Sequence, residues 1–295
     1  MCLAGASWSF DRAAANLNEL CGLRVCDNTI REVCHDHGGA MRGWQRDDPA
    51  AGAAFRAAEG DVEFQTDGTM VNTTAGWREM RLSVFAKRKR GEPAFGRTGW
   101  RQRRLPAPHA RVVQAGVRTS EQLGPGWRRM AGRLGLKDTS EVTALADGAK
   151  WIWNQLRAAL PGCCGVLDVY HASAQLWAAA KAALGEGEAE AWVEARRGTL
   201  LRSGAAGLLA ELPGSRWAAL RAYFEPHADH TGYAARLAEG RSIGSGLVEG
   251  ACKQVIGRRL KQTGARWRVR RVERMAALCA VQASDQWASY WAGAA

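Results

Sequence analysis

Residues 61–71, DVEFQTDGTMV, decide how the rest of the chain is read. Val62 and Phe64 alternate with Glu63, Gln65 and Asp67. A period of two is the pattern of a strand with one apolar and one polar face. Asp67-Gly68 is a turn pair, so this first strand is expected to end there. Downstream, 77–87 (WREMRLSVFAK) alternates again with Met80, Leu82 and Val84 on one face, and ARVVQAGV at 110–117 reads as a third strand. Between them KRKRGEPAFGRTGWRQRRLPAPHAR is too basic and too rich in Gly and Pro to be core, and is expected as an exposed loop. A helix follows near 119–134, then a short buried strand, VTALADGA, at 142–149. KWIWNQLRAAL is an amphipathic helix halted by Pro161-Gly162, and CGVLDVYHA at 164–172 reads as a fifth strand.

Upstream, 8–38 reads as two helices. The first is SFDRAAANLNELCG, capped by Ser9 and ended by Gly22; the second is DNTIREVCHDHG, capped by Asp27. Helix, short turn, helix is also the pattern of a helix-turn-helix. Residues 39–60 have weak periodicity and read as a linker. From Ser173 to Leu237 apolar residues recur at helical spacing, and 242–291 reads as one or two helices broken near Gly264. The expected architecture is α/β: a mixed sheet flanked by helices. Its parts are a helix-turn-helix-like segment at 1–38, a linker at 39–60, the first part of the core at 61–172, a helical insertion at 173–240, and C-terminal helices completing the core at 241–295.

With 295 residues, 46% of them hydrophobic and 24% charged, the chain can bury a sizeable core. The net charge of +12, mostly from Arg, favours a polyanionic partner, nucleic acid first. The eight Cys show no CxxC pair of zinc spacing and are expected as free thiols, and no apolar run has the length of a membrane span. A cytoplasmic, nucleoid-associated protein is the expectation.

Three acids stand where such a sheet would bring them together: Asp67 at the end of the first strand, Asp147 at the end of the fourth, and Glu249 near the start of the helix IGSGLVEGACKQVIGRRLK. Clustered carboxylates on a basic chain suit phosphodiester chemistry, in which a pair of divalent cations activates the attacking oxygen and stabilises the leaving one. Taken singly each acid has a plainer reading. Two sit in D-G turn pairs, and Glu249 could pair with Lys253 at i+4 on its helix.

The blocks TDGTMVNT…GWREMRLSVF, ADGAKWIWN, VLDVYHA and IGSGLVEGACKQVIGRRLK…RW, taken together, resemble the DDE transposases of ISKra-type bacterial insertion sequences over roughly 9–291. The resemblance implies an RNase H-like core with a helical insertion before the last acid. It also implies two Mg²⁺ (or Mn²⁺) ions, double-stranded DNA as partner and substrate, and a homo-oligomer. It makes Asp67 and Glu249 the first and third catalytic acids. The second is Asp147 by strand order, with Asp168 of the LDVYHA block as the alternative; Asp168 and His171 then flank the site. Members of that family carry a longer, Cys-rich N-terminal region than this sequence begins with.

Two basic stretches frame the acids: one from Lys87 to Arg111, and a second of Lys253, Arg258, Arg259, Lys261, Arg266, Arg268, Arg270 and Arg271, with Trp267 between them. Such a run can track a phosphate backbone while the Trp stacks on a splayed base. Trp267 as a core anchor is the competing reading. An active transposase, an RNase H-like nuclease without strand transfer, and a DNA-binding remnant or regulator all remain open on sequence.

Overall fold

A computed structural model describes residues 1–96 and 99–294. Arg97, in the basic loop, lies outside the described residues. In chain order the N-terminal helices are α1 (Cys2–Ser7), α2 (Phe10–Cys21), α3 (Asp27–Asp47) and α4 (Ala53–Ala57), and they precede β1 (Asp61–Thr73) and β2 (Gly76–Arg88). Then come α5 (Gly99–Gln102), β3 (Ala110–Val117), α6 (Ser120–Arg133), β4 (Val142–Ala146), α7 (Lys150–Ala159) and β5 (Cys164–Leu167). Helices complete the chain: α8 (Val169–Ala183), α9 (Glu186–Ala210), α10 (Ala218–Phe224), α11 (Tyr233–Ala238), α12 (Gly246–Ala251), α13 (Arg258–Leu260), α14 (Val269–Ala283) and α15 (Trp287–Ala294).

The fold is mixed α/β, built on a five-stranded sheet of order β3-β2-β1-β4-β5. β1, β2 and β3 form an antiparallel meander, while β4 and β5 run parallel to β1. Alternation along β2 sends its side chains to two different cores. Phe85 joins Phe64, Val112 and Trp127 on one face, with α6, α7 and the helices from α8 to α11. Leu82, Val84 and Ala86 join Val113 on the other, under α1, α3, α12 and α14. Both faces are therefore covered, and the polar residues Glu63 and Gln65 of β1 are buried rather than solvated.

Several expectations change. Asp67-Gly68 is no turn: β1 runs on to Thr73 and turns at Thr74-Ala75, because the hairpin register with β2 carries Asp67↔Leu82 and Gly68↔Arg81 inside the ladder. The segment VYHA is the first turn of α8, not strand, because Asp168 caps it by accepting from the His171 N–H. Residues 39–47 continue α3 and 53–57 form α4, so 39–60 is mostly helix rather than linker. Gly38 explains the continuation. A Cβ there would stand 2.2 Å from the Arg274 carbonyl oxygen, so the glycine lets α3 and α14 approach closely. The N-terminal helices share a core with the C-terminal ones instead of standing apart. Cys26, not Asp27, caps α3.

Residues 173–240 contain no strand among the described residues, but they are not separate from the sheet. Leu176, Val193, Leu208 and Tyr233 belong to the same core as Phe64 and Leu145. The basic loop is likewise partly folded: Trp100 is buried, and the backbone N–H groups of Gly91 and Ala94 donate to Gly240 and Leu237. All eight Cys are free; Cys2, Cys34 and Cys279 are buried, while Cys21, Cys26 and Cys164 are exposed. Among the described residues no helix is long and apolar enough to cross a membrane.

Phe64 lies at the centre of the first core, its ring 4.7 Å from Phe85 and 5.0 Å from Trp127. Phe64→Ala is expected to lower unfolding free energy by about 3–5 kcal/mol in urea titrations. Leu20→Ala, at a side chain 73% exposed, should stay within about 0.5 kcal/mol.

Candidate functional site

The parallel register brings the acids to one edge. β1 and β4 pair from Val62↔Val142 to Gln65↔Leu145. Continued two residues, that register sets Asp67 abreast of Asp147. β4 and β5 pair up to Ala146↔Leu167, so the next row sets Asp147 beside Asp168. Asp147 and Asp168 thus follow the carboxyl ends of β4 and β5, and Asp67 lies alongside them at mid-length of the longer β1.

Their surroundings differ sharply. Asp67 and Asp147 are half-buried. The Oδ1 of Asp67 accepts from the Gly68 N–H at 2.7 Å, and the Oδ1 of Asp147 from the Ala149 N–H at 2.8 Å. The second oxygen of each makes no hydrogen bond among the described residues. Asp168 is 0% exposed. Its Oδ1 accepts from the His171 N–H at 2.7 Å and from His171 Nδ1 at 2.9 Å, and its Oδ2 from the Ser245 N–H at 2.6 Å and Ser245 Oγ at 3.0 Å. Burial alone would raise its pKa, but these donors together hold it below the ordinary carboxylate value. Asp168 is therefore an ionised, fully engaged carboxylate tying β5 to α8 and α12.

Glu249 reaches the same edge from a distant part of the sequence. α12 packs on β1 and β2. Its start is pinned twice: by Asp168 through Ser245, and by Gln65 Oε1, which accepts from the Val248 N–H at 3.1 Å. Gln65 in turn donates to Glu63, which accepts from Ser242 Oγ and pairs with Arg88 at 3.4 Å. Glu63, Gln65 and Ser242 are buried supports, where the sequence pattern suggests a solvated strand face and a loop. Glu249 is half-buried and its side chain forms neither a hydrogen bond nor an ion pair among the described residues, so the alternative pairing with Lys253 is not made. A turn of π-helix, Cys252–Gly257, follows directly, a distortion that recurs at functional sites.

Electrostatics joins these groups. Burial raises the Asp67 pKa, and the charges of Asp147 and Glu249 raise it further, against the Gly68 N–H and His171, which lower it. The Cys252 thiol is pushed up to about 12 by burial, then by Asp67, with a smaller push from Glu249. His171 is raised to about 8 by its hydrogen bond to Asp168, against burial, and by the fields of Asp168, Asp147 and Asp67. Its Nδ1 is held by Asp168, which leaves Nε2 to face outward from a half-exposed ring. Tyr223 and His227, unforeseen in the sequence, wall the Asp147 side. His227 Nε2 lies 3.2 Å from the Gly148 carbonyl oxygen, and a Cβ on Gly148 would meet the Tyr223 ring at 2.4 Å. No short-range spacing could have signalled them, since both come from the far end of the helical region.

The donor chemistry fits a hard divalent cation: carboxylate oxygens left without hydrogen bonds, near enough that Asp147 and Glu249 add to the raised pKa of Asp67. In this side-chain arrangement, among the described residues, no three His, Cys, Asp or Glu side chains meet as a metal-ligand group.

The basic run divides. Lys253, Arg258, Lys261, Arg266, Arg268 and Arg270 are exposed, and Arg271 is half-exposed with Glu32 at 3.4 Å. Arg259 is instead buried, its Nε donating to the Gly5 carbonyl at 2.6 Å and its guanidinium 4.6 Å from the Phe10 ring centre. Trp267 is held inward. Its Nε1–H donates to Leu260, its backbone exchanges hydrogen bonds with Asn72 and Thr74, and Phe10 packs edge-on to it. It anchors the C-terminal loop to the β1–β2 hairpin, which corrects its reading as a base-stacking side chain.

No protein-family model matches this sequence, and no curated protein matches it.

Two carboxylates should respond oppositely to amide substitution. Asp168→Asn turns an Nδ2–H₂ donor or a neutral oxygen toward donors from His171 and Ser245. It should lower unfolding free energy at pH 7 by about 1.5–3 kcal/mol, the range for hydrogen bonds to a charged group. Because the folded-state pKa of Asp168 is depressed, its stabilisation is present above the ordinary value of 3.8 and is lost as pH falls through the folded value, so the gap between wild type and variant should narrow toward pH 3. Asp67→Asn removes a charge that burial and its neighbours disfavour, and at pH 7 without divalent cations it should leave the melting temperature unchanged or raised. Urea titrations at both pH values and thermal melts check the pair.

Proposed function

We propose that this chain is a metal-dependent enzyme of DNA phosphodiester chemistry, an RNase H-like transposase in which Asp67, Asp147 and Glu249 form the acidic triad. The observation that carries the reading is the sheet order β3-β2-β1-β4-β5, with β2 antiparallel, whose parallel register puts Asp67 abreast of Asp147. That order is compatible with an RNase H-like core. A helix pinned to the same strand end by Gln65 and Asp168 supports the third acid. The enclosure of Asp168 supports Asp147 as the second acid and makes Asp168 a positioning residue. On this reading α8–α11 are the helical insertion before the third acid, and α2–α3, with Arg31 and Arg42 on the flank of α3, add a helix-turn-helix contribution to DNA binding.

Asp67, Asp147 and Glu249 would hold the divalent cation, Mg²⁺ or Mn²⁺. Bound there, it supplies Lewis-acid stabilisation of a pentavalent phosphoryl group and lowers the pKa of an attacking hydroxyl or water. The side chains do the rest. His171, cationic over much of the neutral range and oriented by Asp168, presents Nε2–H to a phosphate oxygen. Tyr223 and His227 wall one side of the acids and limit water. The exposed cations Lys253, Arg258, Lys261, Arg266, Arg268 and Arg270 offer backbone contacts for duplex DNA. Catalysis at two DNA ends is served by a homo-oligomer in the cell's DNA-containing compartment.

The test is a nicking and joining assay on duplexes carrying the inverted repeats that flank the gene, with Mg²⁺ or Mn²⁺ added or chelated. Cleavage with joining is the expected result. Asp67→Asn, Asp147→Asn and Glu249→Gln should each reduce it by at least about a hundredfold while DNA binding persists. Cleavage without joining would reduce the enzyme to a nuclease. Binding alone, unaffected by the three substitutions, would leave a DNA-binding regulator and overturn the catalytic reading.

A further inference from the structure

The acid cluster is not the only place where charge is concentrated. A cleft of about 190 Å³ opens between α3, the β2–β3 ladder and α6. Six arginines line it, Arg42, Arg46, Arg81, Arg118, Arg129 and Arg133, and among the described residues no carboxylate does. Three of them are answered by acids outside the lining: Arg42 by Glu273 at 3.2 Å, Arg46 by Asp47 at 2.6 Å, and Arg81 by Glu79 at 2.7 Å. Arg118, Arg129 and Arg133 form no ion pair among the described residues. Two guanidinium nitrogens, Arg81 Nη1 and Arg133 Nε, are enclosed without a hydrogen-bond partner. Buried donors without acceptors are costly, and guanidinium groups without counter-charge repel one another. The pKa of Arg118 is lowered, by burial and then by Arg42, with Arg129 and Arg46 adding to it against the opposing charge of Glu273.

An oxygen-rich phosphoryl anion would relieve all of this together. Guanidinium donors match phosphate oxygens in fork geometry and strengthen in an enclosed site. We propose that this cleft is a phosphoryl-binding site, separate from the acidic edge and formed by arginines of α3, β2, α6 and the turn before α6 that no local sequence pattern links. Its ligand is a phosphoryl group carried either by a nucleic-acid strand or by a small phosphate ester. Arg81, the register partner of Gly68, leaves the sheet on the face opposite to Asp67, which pairs with Leu82, and its guanidinium lies 4.0 Å over the ring of Trp151 at the start of α7. The proposal needs neither the carboxylates nor a metal, so it stands or falls apart from the catalytic reading.

The experiment uses the full chain with EDTA present. Binding of pyrophosphate is followed by calorimetry, and binding of a 20-base-pair duplex by fluorescence anisotropy across a salt series. Two variants are compared with wild type: Arg118→Ala/Arg129→Ala and the charge-conserving Arg118→Lys/Arg129→Lys, each checked for a wild-type melting transition. Wild type should bind pyrophosphate, and the alanine pair should weaken that binding by about tenfold or more, the equivalent of one charge-assisted hydrogen bond. The lysine pair should recover most of it. If duplex affinity falls in parallel and its log–log salt slope flattens by about 0.9 for each phosphate no longer neutralised, the ligand is the nucleic-acid backbone. If only pyrophosphate is affected, it is a small phosphate ester. Pyrophosphate and duplex binding both unchanged in the alanine pair, or absent in wild type, would overturn the proposal.

Discussion

One enclosed carboxylate holds the two halves of the candidate site in place. Asp168 accepts hydrogen bonds from the first turn of α8 and from Ser245, far along the chain at the start of α12. A charge removed from water survives only when its lone pairs are filled, and here they are. The same segment is stitched along its length: the Val169 N–H donates to Ile243, Ser242 Oγ to Glu63, and the Val248 N–H to Gln65. The polar face of β1 thereby becomes a buried seam, and that seam, rather than any local propensity of a six-residue helix, fixes where Glu249 stands.

What the seam delivers is electrostatically unfavourable. Asp67 carries a raised pKa, first from burial and then from Asp147 and Glu249, against one backbone N–H and His171, which lower it. A folded chain does not assemble like charges without something that repays the cost, and binding of a cation to the folded state would do so. The division of labour among the acids follows. Asp168 stabilises the fold and orients, while Asp67, Asp147 and Glu249 keep oxygen atoms unengaged. The arginine cleft beside α6 repeats the logic with the opposite sign, so on the proposed readings one site would take a metal ion and the other a phosphate.

Much of the fold was legible in sequence wherever local pattern and tertiary outcome agree. The third strand, the helix ending before Pro161-Gly162, the Gly22 stop and the break around Gly264 follow from period and punctuation. Sequence failed where a distant contact overrides local chemistry. Asp67-Gly68 has turn composition, yet cross-strand pairing with Leu82 and Arg81 carries it through the ladder. Gly38 and Gly39 look like a helix end, yet the helix continues because α14 lies against it. VYHA has β-branched and aromatic character, yet the Asp168 cap turns it into helix. Of the candidate site, the alignment of Asp67 with Asp147 follows from the order of β1 and β4. Gln65, Ser245, Tyr223 and His227 were not legible, because their roles depend on contacts across 75 residues or more. Arg259 and Trp267 were misread because a run of cations gives no sign of which side chain points inward.

The central claim is that Asp67, Asp147 and Glu249 form one cation site that Asp168 supports without joining. The most direct measurement is anomalous diffraction from crystals grown with Mn²⁺. The account predicts a manganese peak held by Asp67, Asp147 and Glu249, with the Asp168–Ser245 hydrogen bonds intact. A peak held by Asp168 in place of Asp147, or no manganese beside Asp67 and Asp147 at saturating Mn²⁺, would contradict it.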